Sequence, residues 1–145
     1  RIDISPNTAN VVPGKAAFTL DLRHIDKNTM SHFTERFIEN INDISREHGV
    51  ETVIEKWLDT DPVPMDPEIT ELIEKKCKEK NLSYKVMHSG AGHDAQIFAP
   101  SIPAAMLFVP SEKGISHNPG EYTAPADLAE GVQALISTLY ELAYK

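Results

Sequence analysis

The sequence predicts an α/β protein whose first part is α+β, and three patterns along the chain support this prediction. Residues 1–5 alternate apolar and polar side chains, which is the period of a half-buried strand. Residues 30–44 repeat apolar side chains at the spacing of an amphipathic helix. Residues 104–109 form an almost continuous apolar run, which suits a strand buried on both faces of a parallel sheet. Strands and helices in this arrangement predict layers packed around a hydrophobic core.

The composition is that of a folded protein. With 145 residues, 41% of them hydrophobic and 25% charged, the chain has the size of one ordinary domain. Its formal net charge of −8 argues against a general nucleic-acid or anionic-membrane surface, because such surfaces need clustered lysine and arginine. The single cysteine, Cys77, rules out an internal disulfide, and its place on the apolar side of a helical pattern predicts a small core residue.

The apolar runs and the start of the chain bear on its location. No run reaches about 18 apolar residues and no signal-peptide pattern opens the chain, so we expect a cytoplasmic protein without a membrane span. The chain begins at Arg1, inside a strand pattern and without a start signal. We therefore expect it to be a piece of a longer polypeptide.

The elements of the first half predict a ββαβ order. After the strand at residues 1–5, a turn at residues 10–14 leads into a second strand at residues 15–24, with one polar and one apolar face. Asp26 is placed to cap the amphipathic helix that follows, and Gly49 is placed to end it. Residues 50–58 then have the composition of a third strand. This order is typical of the larger part of a two-layer unit of sheet and helix.

The proline-rich stretch at residues 61–67 predicts a domain boundary, which gives segments 1–62 and 63–145. Asp66 is placed to cap the next helix, with Pro67 at its first position and Asn81 at its end. A strand at residues 84–87, a glycine loop with a short helix, and the strand at residues 104–109 follow as one unit. Pro125 opens a final amphipathic helix.

The loop at residues 87–100, MHSGAGHDAQIFAP, is the best candidate for a binding site. Its glycines, Gly90 and Gly92, lie where a strand ends and a helix begins, and ligands of α/β sheets bind at such places. The alternative is a structural left-handed turn with solvated side chains. The polar side chains that this loop adds are those of His88, Ser89, His93 and Asp94.

Two further candidates each have an ordinary alternative. His117 lies in a polar loop, where it is either a metal ligand or a surface histidine, and no second ligand stands at helix-ligand spacing from it. If the strands are parallel, His93 and His117 approach one cleft. Arg23, with Asn10 before it, suits a carboxylate ligand, although from the residues alone a salt bridge to a nearby aspartate, Asp21 or Asp26, is the preferred explanation. His24, His32 and His48 are assigned to the surface.

Four motifs together resemble a known family. They are NTANVVPG at residues 7–14, FTLDLRH at 18–24, SGAGHDA at 89–95 and SHNP at 116–119. In order and spacing they resemble the carbamoylase and allantoate amidohydrolase branch of the dinuclear-metal M20-type amidohydrolases, over essentially the whole chain. The full form of the loop at residues 87–100, with WLD at 57–59 and PVPM at 62–65, is most similar to the members that act on allantoate.

The resemblance implies an architecture and an activity. Segment 1–62 would be the later part of a ferredoxin-like lid and dimerisation domain, and segment 63–145 the C-terminal part of an M20-type α/β catalytic domain. The implied reaction is metal-dependent hydrolysis of allantoate to ureidoglycine or ureidoglycolate, with release of ammonia and CO2, by a homodimer. Two divalent ions, manganese or zinc, would serve each full-length subunit, and this chain would hold an incomplete metal site and be inactive alone.

The resemblance also implies roles for five residues. His117 matches a metal ligand, and Gly92 with His93 matches a loop that contacts the substrate. Asn10 and Arg23 match residues that hold the substrate carboxylate in the neighbouring subunit's site. No catalytic residue is assigned here, because the general base of the family precedes the lid. N-carbamoyl-L-amino acids and ureidoglycolate are alternative substrates, and a non-catalytic dimerisation or binding module is the alternative of another class.

Overall fold

The structure is a computed structural model that describes residues 1–144. The chain divides into two compact units, Arg1–Pro62 and Val63–Lys145. In chain order the helices and strands are β1 (Ile2–Ser5), β2 (Lys15–Phe18), α1 (Lys27–His48), α2 (Pro67–Glu79), α3 (Asp94–Phe98), a 3-10 turn (Glu112–Gly114) and α4 (Pro125–Tyr144). Within residues 1–144, no helix is long and apolar enough to cross a membrane.

The first unit opens with an antiparallel hairpin. β1 pairs with β2 so that Ile2 lies opposite Phe18, and the N–H of Gly14 donates to the carbonyl of Ser5 at 3.0 Å. The prediction of a second strand as far as residue 24 was too long. The last hairpin bond joins the N–H of Thr19 to the carbonyl of Arg1, and within residues 1–144 no strand pairs with residues 19–24.

Helix α1 has the two ends that the sequence predicts. The Asp26 carboxylate accepts a hydrogen bond from the N–H of Thr29 at 2.7 Å. Hydrogen bonding with the Thr29 side chain, followed by this bond from its N–H, holds the pKa of Asp26 below its usual value. At the other end Gly49 has a left-handed φ of 63°, and its N–H donates to the carbonyl of Arg46. Both predicted caps are confirmed.

The predicted third strand of this unit is wrong, and the observed order is ββα. Residues 50–58 form no strand, and Trp57 is 79% exposed. Side-chain composition gives a segment a tendency to extend, but a strand exists only where a second backbone completes its hydrogen bonds. Within residues 1–144 no such partner lies beside this segment.

The second unit is built on the packing of α2 against α4. The predicted start of α2 is confirmed, since the Asp66 side chain accepts from the N–H of Ile69 at 2.9 Å and Pro67 holds the first position. Asn81 has a left-handed φ of 55° just after the helix. Cys77 is 3% exposed, as predicted for a core residue, and burial raises the pKa of its thiol.

Lys76 is a charged residue inside this helix pair. Its side chain is 9% exposed, and its Nζ donates to Glu79 at 3.1 Å and to Glu141, on α4, at 2.9 Å. The hydrogen bond with Glu141, followed by that with Glu79, raises the pKa of Lys76 above its usual value. A buried charge needs such partners, so this network fixes α2 against α4.

The two strands predicted for this unit are also wrong. Residues 84–87 and 104–109 form no strand, so the predicted strand, helix, strand unit of a parallel sheet is not made by residues 63–144. Val109, at the end of the apolar run, lies close to α4, since a Cβ added at Gly131 would overlap Cγ1 of Val109. Apolar side chains are stabilised by burial against any apolar surface, because the hydrophobic effect has no direction. A strand forms only where the backbone N–H and C=O groups of a second strand complete its hydrogen bonds.

Candidate functional site

The glycine loop leads into the short helix α3 in the second unit. His93 holds the N-cap position with an extended backbone, φ −136° and ψ 153°, and its side chain makes no capping hydrogen bond. Neither Gly90 nor Gly92 has a left-handed φ, and a Cβ at either position would meet nothing within 4 Å. The alternative of a left-handed structural turn therefore does not hold. Within residues 1–144, the space over both glycines is open.

The side chains of the loop form one defined contact. Ser89 Oγ lies 2.7 Å from His93 Nε2, and the N–H of Ala91 donates to the same Oγ at 3.3 Å. The His93 ring also meets the ring of Phe108 edge-on, with centroids 5.4 Å apart. Two contacts therefore set the position of a half-buried imidazole.

The sequence named Ser89 and His93 in the same loop but not the contact between them, and it did not point to Phe108. The spacing of four residues between Ser89 and His93 was the available signal, since a turn into a helix brings such residues together. No sequence signal pointed to Phe108, because its contact with His93 depends on the tertiary fold.

His117 lies exposed in a hydrogen-bonded turn. Its backbone has a left-handed φ of 55°, and its N–H donates to Glu121 Oε2 at 2.9 Å. Asn118 Oδ1 accepts from the N–H of Gly120 at 2.9 Å and ties the same turn together. A histidine held at positive φ is uncommon, and such strained residues concentrate at functional sites. The contact with Glu121, four residues later, was missed from the sequence.

Arg23 and Asn10 lie exposed in the first unit. The Arg23 guanidinium donates two hydrogen bonds to the Asp21 carboxylate, from Nε to Oδ1 at 3.0 Å and from NH2 to Oδ2 at 2.7 Å. This pairing lowers the pKa of Asp21 and raises that of Arg23. The salt bridge considered from the sequence is therefore present. Asn10 occupies the hairpin turn with a left-handed φ of 64°.

The described residues do not complete a metal site. Among residues 1–144, no group of three His, Cys, Asp or Glu side chains could hold a metal ion. The donor chemistry of His117 fits one ligand, whereas a bound metal ion needs three or four. The expectation that His93 and His117 share one cleft rested on parallel strands, which residues 63–144 do not form, and it stays a prediction.

Three curated relatives match the chain over nearly all its length. Allantoate amidohydrolase of Escherichia coli (strain K12) is 48% identical over 145 residues, which is 100% of this chain and 35% of that protein. Allantoate amidohydrolase of Bacillus subtilis (strain 168) is 42% identical over 144 residues, which is 99% of this chain and 35% of that protein. Ureidoglycolate hydrolase of Oryza sativa subsp. japonica is 33% identical over 142 residues, 97% of this chain and 29% of that protein. The chain thus spans about a third of these relatives.

Two solved structures share the fold. An amidase of the hydantoinase/carbamoylase family from Burkholderia multivorans superposes with a TM-score of 0.93 at 30% identity, covering 100% of this chain and 35% of that one. The structure of AtUAH in complex with glyoxylate gives a TM-score of 0.86 at 32% identity, covering 100% of this chain and 34% of that one. These neighbours agree with the mixed class of helices and a small sheet that the sequence predicted. Residues 5–141 match Peptidase family M20/M25/M40, and the chain belongs to this family.

Proposed function

We propose that the full-length protein is a metal-dependent amidohydrolase that cleaves a ureido C–N bond of allantoate and releases ammonia and CO2. The observation that carries this proposal is the 48% identity to an allantoate amidohydrolase across all 145 residues. The four motifs that carry the chemistry lie inside the matched region. The product would be ureidoglycine or ureidoglycolate.

Arg23 and Asn10 are proposed to hold the substrate carboxylate, in the site of the partner subunit. The bidentate grip on Asp21 supports this role, because it shows that the exposed guanidinium has the geometry to bind a carboxylate with two bonds. The relative solved with glyoxylate also holds a small carboxylate. Arg23 would supply orientation, which raises the rate by keeping the reacting bond in place.

Gly92 and His93 are proposed to contact the reacting end of the substrate. The open space over Gly92 admits a ligand close to the backbone, and the imidazole is already positioned by its neighbours. A preorganised N–H donor stabilises the negative charge that develops on a carbonyl oxygen during attack.

His117 is proposed as one ligand of a two-ion site whose other ligands come from the rest of the full-length protein. Manganese or zinc, when bound, polarises a carbonyl oxygen and activates water at neutral pH. The left-handed backbone of His117 and the hydrogen bond from its N–H to Glu121 would fix the position of the imidazole relative to the metal ion.

The first unit is proposed to join two subunits. Its sheet has two strands, so both outer edges lack a strand partner within residues 1–144, and α1 buries none of its residues. Phe33 on this helix is 51% exposed. A symmetric dimer would cover these surfaces. Sedimentation velocity of the full-length protein should show a dimer at micromolar concentration, and a monomer would contradict the proposal.

One substrate panel separates the candidate functions. Full-length protein loaded with manganese or zinc should release ammonia from allantoate with the highest kcat/KM, and a chelator should abolish the activity. Turnover of ureidoglycolate or an N-carbamoyl-L-amino acid without turnover of allantoate would show that the protein acts on that alternative substrate. If the metal-loaded protein hydrolyses none of them, the enzyme proposal fails in favour of a non-catalytic module.

A further inference from the structure

We propose that Ser89 is a positioning residue, which donates its hydroxyl hydrogen to His93 Nε2 and so holds the imidazole with its proton on Nδ1. The inference rests on the proposed function for the role of His93 at the substrate. Ser89 has no role in the proposed function, and its hydrogen bond makes Nδ1 the donor nitrogen of His93.

The direction of the hydrogen bond follows from the geometry at Ser89. The separation of 2.7 Å between Oγ and Nε2 is typical of an O–H donor, while bonds donated by N–H groups centre at about 2.9 to 3.0 Å. The N–H of Ala91 already donates to Oγ at 3.3 Å and occupies one of its lone pairs. Oγ keeps a second lone pair, so the short separation is what carries the direction: we assign the hydroxyl hydrogen to the ring nitrogen and take Nε2 as the acceptor.

The state of one ring nitrogen determines the state of the other. In a neutral imidazole one nitrogen accepts and the other donates, so an accepting Nε2 leaves the proton on Nδ1. The edge-on ring of Phe108 restrains rotation of the imidazole about its Cβ–Cγ bond, which would carry Nε2 away from Ser89 Oγ. Within residues 1–144, Ser89 is the hydrogen-bond partner described for this ring, which leaves Nδ1–H to serve a ligand.

The tautomer matters for the proposed reaction. A carbonyl oxygen that gains negative charge is stabilised by an N–H donor and destabilised by the lone pair of the opposite tautomer. A serine that fixes the tautomer therefore acts through His93 without touching the substrate. We expect its loss to affect kcat more than KM, because the benefit appears in the transition state.

Nitrogen NMR of the full-length protein tests the tautomer directly. In protein labelled with 15N-histidine, the His93 signal, assigned by its loss in His93→Gln, should show a protonated Nδ1 and an unprotonated Nε2. Ser89→Ala should lose this pattern, while Ser89→Thr, which keeps a hydroxyl, should retain it. A wild-type His93 with its proton on Nε2, or an unchanged pattern in Ser89→Ala, would overturn the proposal.

Kinetics provide the second measurement. Ser89→Ala should lower kcat on allantoate by roughly tenfold, the upper range for one hydrogen bond, with metal content unchanged and KM moving less. Ser89→Thr should recover most of the rate. Ser83→Ala, which removes an exposed serine hydroxyl from the same unit, is the matched control and should leave kcat unchanged.

The NMR result separates this inference from the proposed function. If the protein does not hydrolyse allantoate but His93 shows the Ser89-dependent tautomer, the proposed substrate fails and the positioning role stands. If allantoate is hydrolysed at the same rate by Ser89→Ala with an unchanged tautomer, the positioning role fails and the proposed function stands.

Discussion

At the scale of single residues, the pairing of Arg23 with Asp21 has a consequence for binding. Their side chains are 57% and 69% exposed, and ion pairs in such positions contribute little to folding stability. The hydrogen bond to Arg23 lowers the pKa of Asp21, so this carboxylate stays charged to a lower pH than an ordinary aspartate. A substrate carboxylate can therefore compete for the guanidinium without destabilising the fold.

Replacing Arg23 tests the carboxylate role. Arg23→Lys keeps the charge but loses the bidentate geometry, so kcat/KM of the full-length protein should fall roughly ten- to hundredfold. If the contact also drives closure of the lid, kcat should fall together with a rise in KM. Metal content, measured by mass spectrometry, should stay unchanged. Full activity in Arg23→Lys would contradict the carboxylate role and leave Arg23 as a residue of the ion pair with Asp21.

Replacing His117 tests the metal role. His117→Ala should lower metal content by about one ion per full-length subunit, because one ligand of a shared site is lost. Alanine is strained at the left-handed φ of 55°, whereas asparagine tolerates that conformation. His117→Asn is therefore the control for backbone strain. If His117→Asn retains full metal content while His117→Ala loses it, the effect comes from the backbone and not from the imidazole.

Sequence reasoning identified side chains better than their contacts. Residue type and motif order were enough to name His93, Arg23 and His117. Their partners, Phe108 and Glu121, were not named, because a ring contact between loops and a side-chain bond to a backbone N–H depend on the tertiary path of the chain. Whether these residues bind substrate and metal stays a prediction.

At the scale of elements, helices were predicted well and strands poorly, for a physical reason. A helix completes its hydrogen bonds within one segment, and its caps are local, so Asp26, Gly49 and Asp66 could be placed from sequence. A strand needs a neighbour that the segment itself does not encode. Only the hairpin of β1 and β2 has its partner close along the chain within the described residues.

The close approach of Gly131 to Val109 predicts that Gly131→Ala destabilises the protein when Val109 is present and stabilises it when Val109 is truncated. Gly131→Ala should lower the free energy of unfolding by about 1 to 2 kcal/mol, because overlap with a stiff β-branched side chain outweighs the better helix propensity of alanine. In a Val109→Ala background the same change should stabilise by about 1 kcal/mol. Urea denaturation of the four variants measures this cycle. Equal effects in both backgrounds would mean that the two residues do not interact.

At the scale of the whole molecule, the exposed surface is large. The chain exposes 12149 Å², whereas a folded monomer of this length exposes about 7,400 Å². Large apolar side chains contribute to the difference, among them Val12 at 89%, Trp57 at 79% and Ile97 at 75%. Because the relatives are about three times longer, we propose that other parts of the full-length protein and a second subunit cover this surface.

The surface predicts how the isolated segment behaves. Residues 1–145 produced alone should bind the dye ANS and self-associate, because exposed apolar patches of this size drive association. The segment should also bind manganese or zinc weakly, since the described residues form no group of three ligands. Full-length protein at the same concentration is the control and should bind little dye. A monomeric segment without dye binding, or one with tight stoichiometric metal binding, would contradict the prediction.

The buried position of Lys76 makes it a chemical reporter. Amine-reactive reagents need an accessible, uncharged amine, and Lys76 is both shielded and held in its charged form by Glu141 and Glu79. Its neighbours Lys75 and Lys78 are 64% and 67% exposed on the same helix. The ratio of acetylation at Lys76 to that at these two neighbours, read from one peptide digest, would therefore measure the docking of α2 on α4 in any preparation of the protein.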